Sequence, residues 1–231
     1  MTSSAKRANL EALSLVSMVC GRIAHDLNNL LAAVDGYAEF VAQDVADRPQ
    51  ALSDIREVRN AAKKGAAFSK RLRQVGQLVE GSPEPLDLSQ LAREAEEQVR
   101  LIMGDSIEVG FDLSQTLPKV NADAQQVQLA LLTMVENACE AMPDGGKLKI
   151  DTFEYGEEVA LRVTDEGCGM SPEVLGRMYD PFFSTKPKAI GNGLGMFIVA
   201  GVVDRAGGRV DVESQEGAGT TITLLLPATR D

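Results

Sequence analysis

From about Leu10 to Val45, apolar residues recur at steps of three and four: Leu13, Val16, Cys20, Ile23, Leu27, Leu31, Val34, Ala38, Val41 and Val45. That step matches the helical repeat and is kept for about ten turns, so the stretch reads as one long amphipathic helix. Asp47-Arg48-Pro49-Gln50 breaks it. Pro49 pushes Arg48 away from helix and can itself sit in the first turn of a second one. A second stripe follows at Leu52, Ile55, Val58, Ala62, Gly65, Ala66, Ser69, Leu72, Val75 and Val79. Two such helices with a short connection form an antiparallel hairpin. A lone hairpin leaves each stripe half uncovered, and burying one Leu-sized side chain is worth roughly 1.5–3 kcal/mol. Two hairpins pairing into a four-helix bundle would cover both stripes, so the expectation is a homodimer.

Gly81-Ser82-Pro83-Glu84-Pro85 cannot continue a helix and reads as a linker. Beyond it, helix and strand signals alternate. Asp87 with Gln90 resembles a capping box, opening a helix that buries Leu91, Ala95, Val99 and Ile102 and stops at Gly104. Asp123 with Gln126 opens another, through Val127, Leu131, Val135 and Ala138 to Pro143-Asp144-Gly145-Gly146. Period-two alternation marks five strands, around Ile107–Leu113, Leu148–Ile150, Val159–Val163, Val210–Val212 and Ile222–Leu226. The reading is an α+β chain: residues 1–80 a helical hairpin, residues 81–231 an α/β sandwich with helices on one face of a five-stranded mixed sheet.

Charge supports that boundary. Residues 1–80 carry 11 Lys/Arg against 9 Asp/Glu, and residues 81–231 carry 12 against 25. The overall net charge of −11, with no Trp, argues against a nucleic-acid platform or an anionic membrane as partner. The second helix is the exception. Its Arg56, Arg59, Lys63, Lys64, Lys70, Arg71 and Arg73 form either a solvated face or a docking surface for an acidic partner protein. Cys20, Cys139 and Cys168 lie far apart and show neither a disulfide framework nor a metal spacing. With no apolar signal core and no run long enough to span a membrane, a reducing cytoplasm is expected.

The chemistry concentrates in a few places. His25 is the only histidine in the chain, and Asp26 follows it directly. A neutral imidazole is a good nucleophile near pH 7, and an adjacent acid can orient it. Both residues fall beside the apolar stripe, and Asn29 lies one turn further along the same face. In the second half, glycines cluster in Asp165-Glu166-Gly167-Cys168-Gly169, in Gly191-Asn192-Gly193-Leu194-Gly195 and in Gly217-Ala218-Gly219-Thr220. Dense glycines let backbone amides approach an anion, and Gly193-Leu194-Gly195 opens a helix whose amino end suits phosphate. Each cluster taken alone is equally read as a tight turn. There is no Gly-x4-Gly-Lys-Ser/Thr loop, and the Gly191 cluster does not follow a strand as a dinucleotide fingerprint would.

Taken in order, these motifs resemble the catalytic core of sensor histidine kinases over essentially the whole chain. Gly21-Arg-Ile-Ala-His-Asp-Leu-Asn-Asn-Leu-Leu31 looks like the H-box. Val135-Glu-Asn-Ala-Cys-Glu-Ala141 resembles the N-box, Asp165–Gly169 the G1 box and Asp180-Pro-Phe-Phe-Ser-Thr-Lys186 the F-box and lid. The Gly191 and Gly217 clusters resemble the G2 and G3 boxes. The His-Asp-x-Asn-Asn variant is most similar to the nitrogen-regulation and cell-cycle hybrid kinases. The resemblance implies a HisKA-type hairpin followed by a Bergerat ATP-binding fold.

It also implies roles. His25 would attack the γ-phosphate of ATP while Asp26 holds the other ring nitrogen, and Asn29 would position water to hydrolyse a receiver's phosphoaspartate. Asn137 would hold Mg2+. Asp165 would accept from the adenine amino group, Gly167 and Gly169 would let the base pack on backbone, and Thr220 would line its other side. Lys186 would reach the phosphates, and Gly191, Gly193, Leu194 and Gly195 would contact them along the loop. The partner would be a response-regulator receiver domain. Three positions depart from the pattern: Leu30 replaces a frequent proline, Thr133 a frequent asparagine, and Ala189 sits in a lid usually richer in glycine. Two other readings remain: a dimeric phosphotransfer scaffold that no longer uses ATP, and a gyrase-type ATPase clamp. The clamp would want a glutamate where Thr133 stands.

Overall fold

The computed structural model describes residues 3–77, 81–185 and 193–229, with side chains from Val19 onward. The chain divides into two compact units, Met1–Glu80 and Gly81–Asp231.

In the first unit, α1 (Ser3–Asp44) and α2 (Pro49–Gln77) form the expected hairpin, with Pro49 opening α2. With leucine rather than proline at position 30, α1 continues as helix through it. The buried seam is narrower than the sequence stripe. Cys20, Ala24 and Ala38 on α1, with Val45 just after its end, meet Ala62, Ser69, Leu72 and Val75 on α2. Small residues let the backbones close. A Cβ on Gly21 would lie 3.5 Å from the Gly76 Cα, and one on Gly65 only 2.9 Å from Leu31 Cδ1. A second set, Ile23, Leu30, Val34, Tyr37 and Val41, remains exposed within the single chain. Arg59 ties the helices further along, through Asp35 at 3.0 Å and through Glu39.

The second unit contains β1 (Glu84–Leu86), α3 (Leu88–Glu94), α4 (Glu96–Met103), β2 (Ile107–Leu113), β3 (Val120–Ala122) and α5 (Ala124–Ala141). Then come β4 (Gly146–Tyr155), β5 (Glu158–Asp165), α6 (Pro172–Arg177), α7 (Gly195–Arg205), β6 (Arg209–Gln215) and β7 (Gly219–Pro227). The large sheet has the order β2-β4-β5-β7-β6, with β2–β4 parallel and the other pairs antiparallel. It is the five-stranded mixed sheet that the alternation implies. Leu148, Ile150, Leu161, Val163, Ile222 and Leu224 alternate along their strands and are buried. They pack with Leu131 and Met134 of α5 and Ile198 of α7 in one core. The other face stays charged: Lys149 meets Asp112 at 2.9 Å, and Arg162 pairs with the buried Asp151.

Three expectations are corrected. The linker ends in a strand: β1 pairs antiparallel with β3, Glu84 opposite Ala122 and Leu86 opposite Val120. A two-stranded ribbon has only edges, where Pro85 costs no interior ladder bond. The helix opened by Asp87 is two helices meeting at Ala95, although Ala95 and Val99 still make their i−4 hydrogen bonds. Finally, Met103 rather than Ile102 fills its last buried position. Asp87 does cap, accepting from the Ser89 and Gln90 amides, but the Gln90 side chain turns to Glu94 instead of completing the box.

Candidate active site

In the hairpin, Ala24 is buried against α2, and Ser69 Oγ donates to its carbonyl at 2.6 Å. The next residue, His25, therefore stands at the edge of the seam, its side chain 75% exposed. Its Nδ1 lies 3.2 Å from Asp26 Oδ1. A carboxylate can only accept, so Nδ1 is the donor in this contact and Nε2 is the ring nitrogen it leaves unengaged. His25 and Asn29 line one groove between α1 and α2. The structure thus brings together the three hairpin residues singled out by sequence, on a surface open to another molecule.

In the second unit, the Asp165–Gly169 and Gly217–Thr220 clusters meet at one end of the sheet. Asp165 closes β5, is 7% exposed, and sits opposite Thr220 across the β5–β7 ladder. Its Oδ1 accepts the Gly167 amide at 2.8 Å. The 166–170 loop is gripped on both sides. The Cys168 amide donates to the Ala141 carbonyl at the end of α5, at 3.0 Å, and the Gly217 amide donates to the Cys168 carbonyl at 2.8 Å.

The glycines there serve the chain's own closure first. A Cβ on Gly167 would stand 2.7 Å from Ala141 Cβ. On Gly169, at φ +66°, it would be 1.9 Å from the Gln215 carbonyl oxygen. The space a side chain would need is already taken by backbone, whatever else binds.

Ser214 was not singled out from the sequence, yet it fastens this end. Its hydroxyl donates to the Gly219 carbonyl at 3.0 Å and accepts the Met170 amide at 2.8 Å. With its one proton given to Gly219, Ser214 Oγ accepts from Thr220 Oγ1, 2.9 Å away. The only sequence signal was a serine on an alternating strand next to a glycine turn.

The amino end of α7 abuts α5. A Cβ on Gly195 would lie 3.2 Å from Asn137 Nδ2 and 3.3 Å from Asn137 Oδ1. So the Asn137 carboxamide faces the first turn of α7, where amides lack helical partners. Leu194 caps that helix with its own side chain in the core, so it can offer a ligand only backbone. Thr133 also meets Gly195, but its hydroxyl donates to the Leu129 carbonyl at 2.7 Å and is used within its own helix.

Just before α7, Gly193 at φ +65° accepts the Phe182 amide at 2.9 Å. Phe182 itself holds φ +68°, a conformation costly for a side-chain-bearing residue, and Arg177 stacks on Phe183 at 4.1 Å. Phe182 and Phe183 belong to the F-box motif read from the sequence, whereas Arg177 was not singled out. Lys186, Ala189 and Gly191 lie outside the described residues. Among the described residues no cluster of three His, Cys, Asp or Glu could hold a metal, and no helix is long and apolar enough to cross a membrane.

Residues 122–230 match the family of histidine kinase-, DNA gyrase B- and HSP90-like ATPases. Over 235 residues the chain is 28% identical to the sensor kinase CckA of Brucella abortus (strain 2308), covering 95% of this chain and 25% of that protein. Over 222 residues it is 29% identical to the sensor histidine kinase ZraS of Escherichia coli (strain K12), covering 94% of this chain and 46% of ZraS. The chain thus spans between a quarter and a half of these relatives. The crystal structure of full-length ShkA in complex with AMPPNP shares the fold, with TM-score 0.71 and 24% identity over 91% of this chain and 46% of ShkA. Hairpin, sheet order and family match agree: residues 122–230 belong to the histidine kinase-, DNA gyrase B- and HSP90-like ATPase family, and the chain as a whole is similar to the catalytic core of sensor histidine kinases.

Proposed function

We propose that the chain takes the γ-phosphoryl group of ATP onto His25 and passes it to an aspartate of a response-regulator receiver. The observation that carries this reading is the exposed imidazole whose Nδ1 is engaged by Asp26, in one chain with an ATPase-family domain. Nε2 attacks the γ-phosphorus. The N–P bond forms as the bond to the β–γ bridging oxygen breaks, and ADP leaves with that electron pair. Asp26 keeps the Nδ1 proton and offsets the positive charge growing on the ring. The step asks mainly for positioning and charge neutralisation.

In the ATP domain, Asp165 is the acceptor for the adenine amino group. A carboxylate accepts through two oxygens, so holding the Gly167 amide does not exhaust it. Thr220 stands across the strand ladder from it. Gly193, Leu194 and Gly195 supply backbone to the phosphates, joined in this reading by Lys186 and Gly191. The Asn137 side-chain oxygen fits Mg2+, which takes few protein ligands and keeps waters and phosphate oxygens. When bound, that ion neutralises phosphate charge.

Asn29, on the same groove as His25, positions water for dephosphorylating the receiver. Two copies pair through the exposed α1 residues Ile23, Leu30, Val34 and Tyr37, and the requirement for ATP suits the cytoplasm.

The test is incubation with γ-labelled ATP and Mg2+. Acid-labile label is expected on the chain, and none in His25→Ala or Asn137→Ala. Acid-stable label on serine would overturn the reading. Asn29→Ala is expected to keep autophosphorylation and lose phosphatase activity; a parallel loss of both would remove the role given to Asn29.

A further inference from the structure

At the level of His25, the groove between α1 and α2 encloses about 840 Å3. It exists because its floor is built of residues too small to fill it, Gly21, Ala24, Ala66 and Gly76. Its charged lining is of one sign. Arg22, Lys70 and Arg73 border it, and no carboxylate does so among its described residues. Among the described residues none of these three cations is paired, whereas Arg59 on the same helix is held by Asp35 and Glu39. The Ser69–Ala24 hydrogen bond sets the level: the residues that follow each partner are Lys70 and His25, so both flank one contact. Arg73 lies one turn further along α2, beside the close approach of Gly76 to Gly21. Unpaired cations around the imidazole suit the same ring carrying a phosphoryl dianion.

We propose that Lys70, supported by Arg73 and Arg22, is a positioning residue that receives the phosphoryl oxygens of phosphorylated His25 and sets the lifetime of that group. This rests on the reading that His25 is the acceptor. The ammonium keeps its proton throughout and pairs with the oxygens. In hydrolysis, water adds to phosphorus, the N–P electron pair returns to Nε2, and inorganic phosphate leaves. Charge on the phosphoryl oxygens is most concentrated in the bound dianion and more dispersed in a loose transition state. A cation on those oxygens therefore stabilises the phosphohistidine more than its breakdown.

The experiment labels the full chain with γ-labelled ATP and Mg2+, removes nucleotide and metal, and follows the label with time. Lys70→Gln is expected to shorten its half-life about two- to fivefold, the scale of one exposed ion pair. Lys70→Arg should restore the half-life, and Lys64→Gln, outside the groove, should leave it unchanged. The 31P resonance of the phosphohistidine should move in Lys70→Gln, which a merely structural residue would not produce. Raising salt should shorten the wild-type half-life, and should do so less in Lys70→Gln, where only Arg73 and Arg22 remain to be screened; this measurement on the wild type also stands if the variant folds poorly. Label absent from wild-type His25 would defeat the functional reading itself. Label present in wild type, with half-life, resonance and salt response all unchanged by Lys70→Gln, would overturn the role of Lys70 alone.

Discussion

His25 stands three-quarters exposed on a helix that leaves Ile23, Leu30 and Tyr37 in water, whereas Asp165 and Thr220 are each less than a tenth exposed at the head of the sheet. The hairpin is held by a thin seam of mostly small residues, with Leu72 and Val75 its only large buried side chains on α2. The ATP domain is held by a core of leucine, isoleucine and valine, and its site is closed by backbone running against backbone. Under the proposed function the difference follows from what each unit would meet. An acceptor that takes a group from one molecule and gives it to another has to stay open to both. A group that selects one base gains from a fixed place of low dielectric, where an unmatched hydrogen bond is costly. One unit therefore leaves its surface unfinished, and the other spends its glycines on rigidity.

The largest expected effect attacks the unfinished surface. Leu30→Lys with Tyr37→Lys places four charges in the predicted bundle of two copies. Losing four buried side chains at the low end of 1.5–3 kcal/mol each comes to roughly 6 kcal/mol, or about four decades in dissociation constant. Sedimentation should show a dimer turned monomer. An unchanged dimer would mean that this face is not the one covered.

The next effect attacks the rigid site. Gly169→Ala combines a positive φ with a Cβ 1.9 Å from the Gln215 carbonyl oxygen, and should cost about 2–5 kcal/mol. Gly217 also has a positive φ, +76°, but open space around it, so Gly217→Ala should cost only about 1–2 kcal/mol. Chemical denaturation of the two variants measures the gap. Equal losses would show that backbone closure at Gly169 is not what holds the loop.

The smallest effect returns to the hairpin. The hydrogen bond and charge of Arg59 hold the Asp35 carboxyl below the ordinary carboxylate range. A depressed folded-state value means that the contribution is present above about pH 4 and lost as pH falls through the depressed value. The difference in melting temperature between wild type and Asp35→Asn should therefore be present at pH 7 and vanish in acid. A difference independent of pH would assign it to packing.

Much of this was legible because the signals were local. The helical stripes, the Pro49 break, the caps at Asp87 and Asp123 and the alternating strands each depend on residues within a turn or two. The strand at Glu84–Leu86 was not legible, because Pro83 and Pro85 read as linker and its partner Val120–Ala122 lies far along the chain. The interruption at Ala95 leaves the apolar spacing intact on both sides, so periodicity could not show it. Ser214 is unremarkable in sequence and matters only because the fold brings Met170, Gly219 and Thr220 to it.

By itself the sequence determined the helical hairpin and the helices and five strands of the large sheet that follow it, since periodicity, capping and glycine content are written in neighbouring positions. Only the tertiary structure decided which stripe residues are buried and which wait exposed, that Gly167 and Gly169 are required by the chain's own backbone, and that Lys70 and Arg73 border the groove of His25. Those outcomes depend on distances between residues remote in sequence, and close packing sets such distances only once the whole chain has folded.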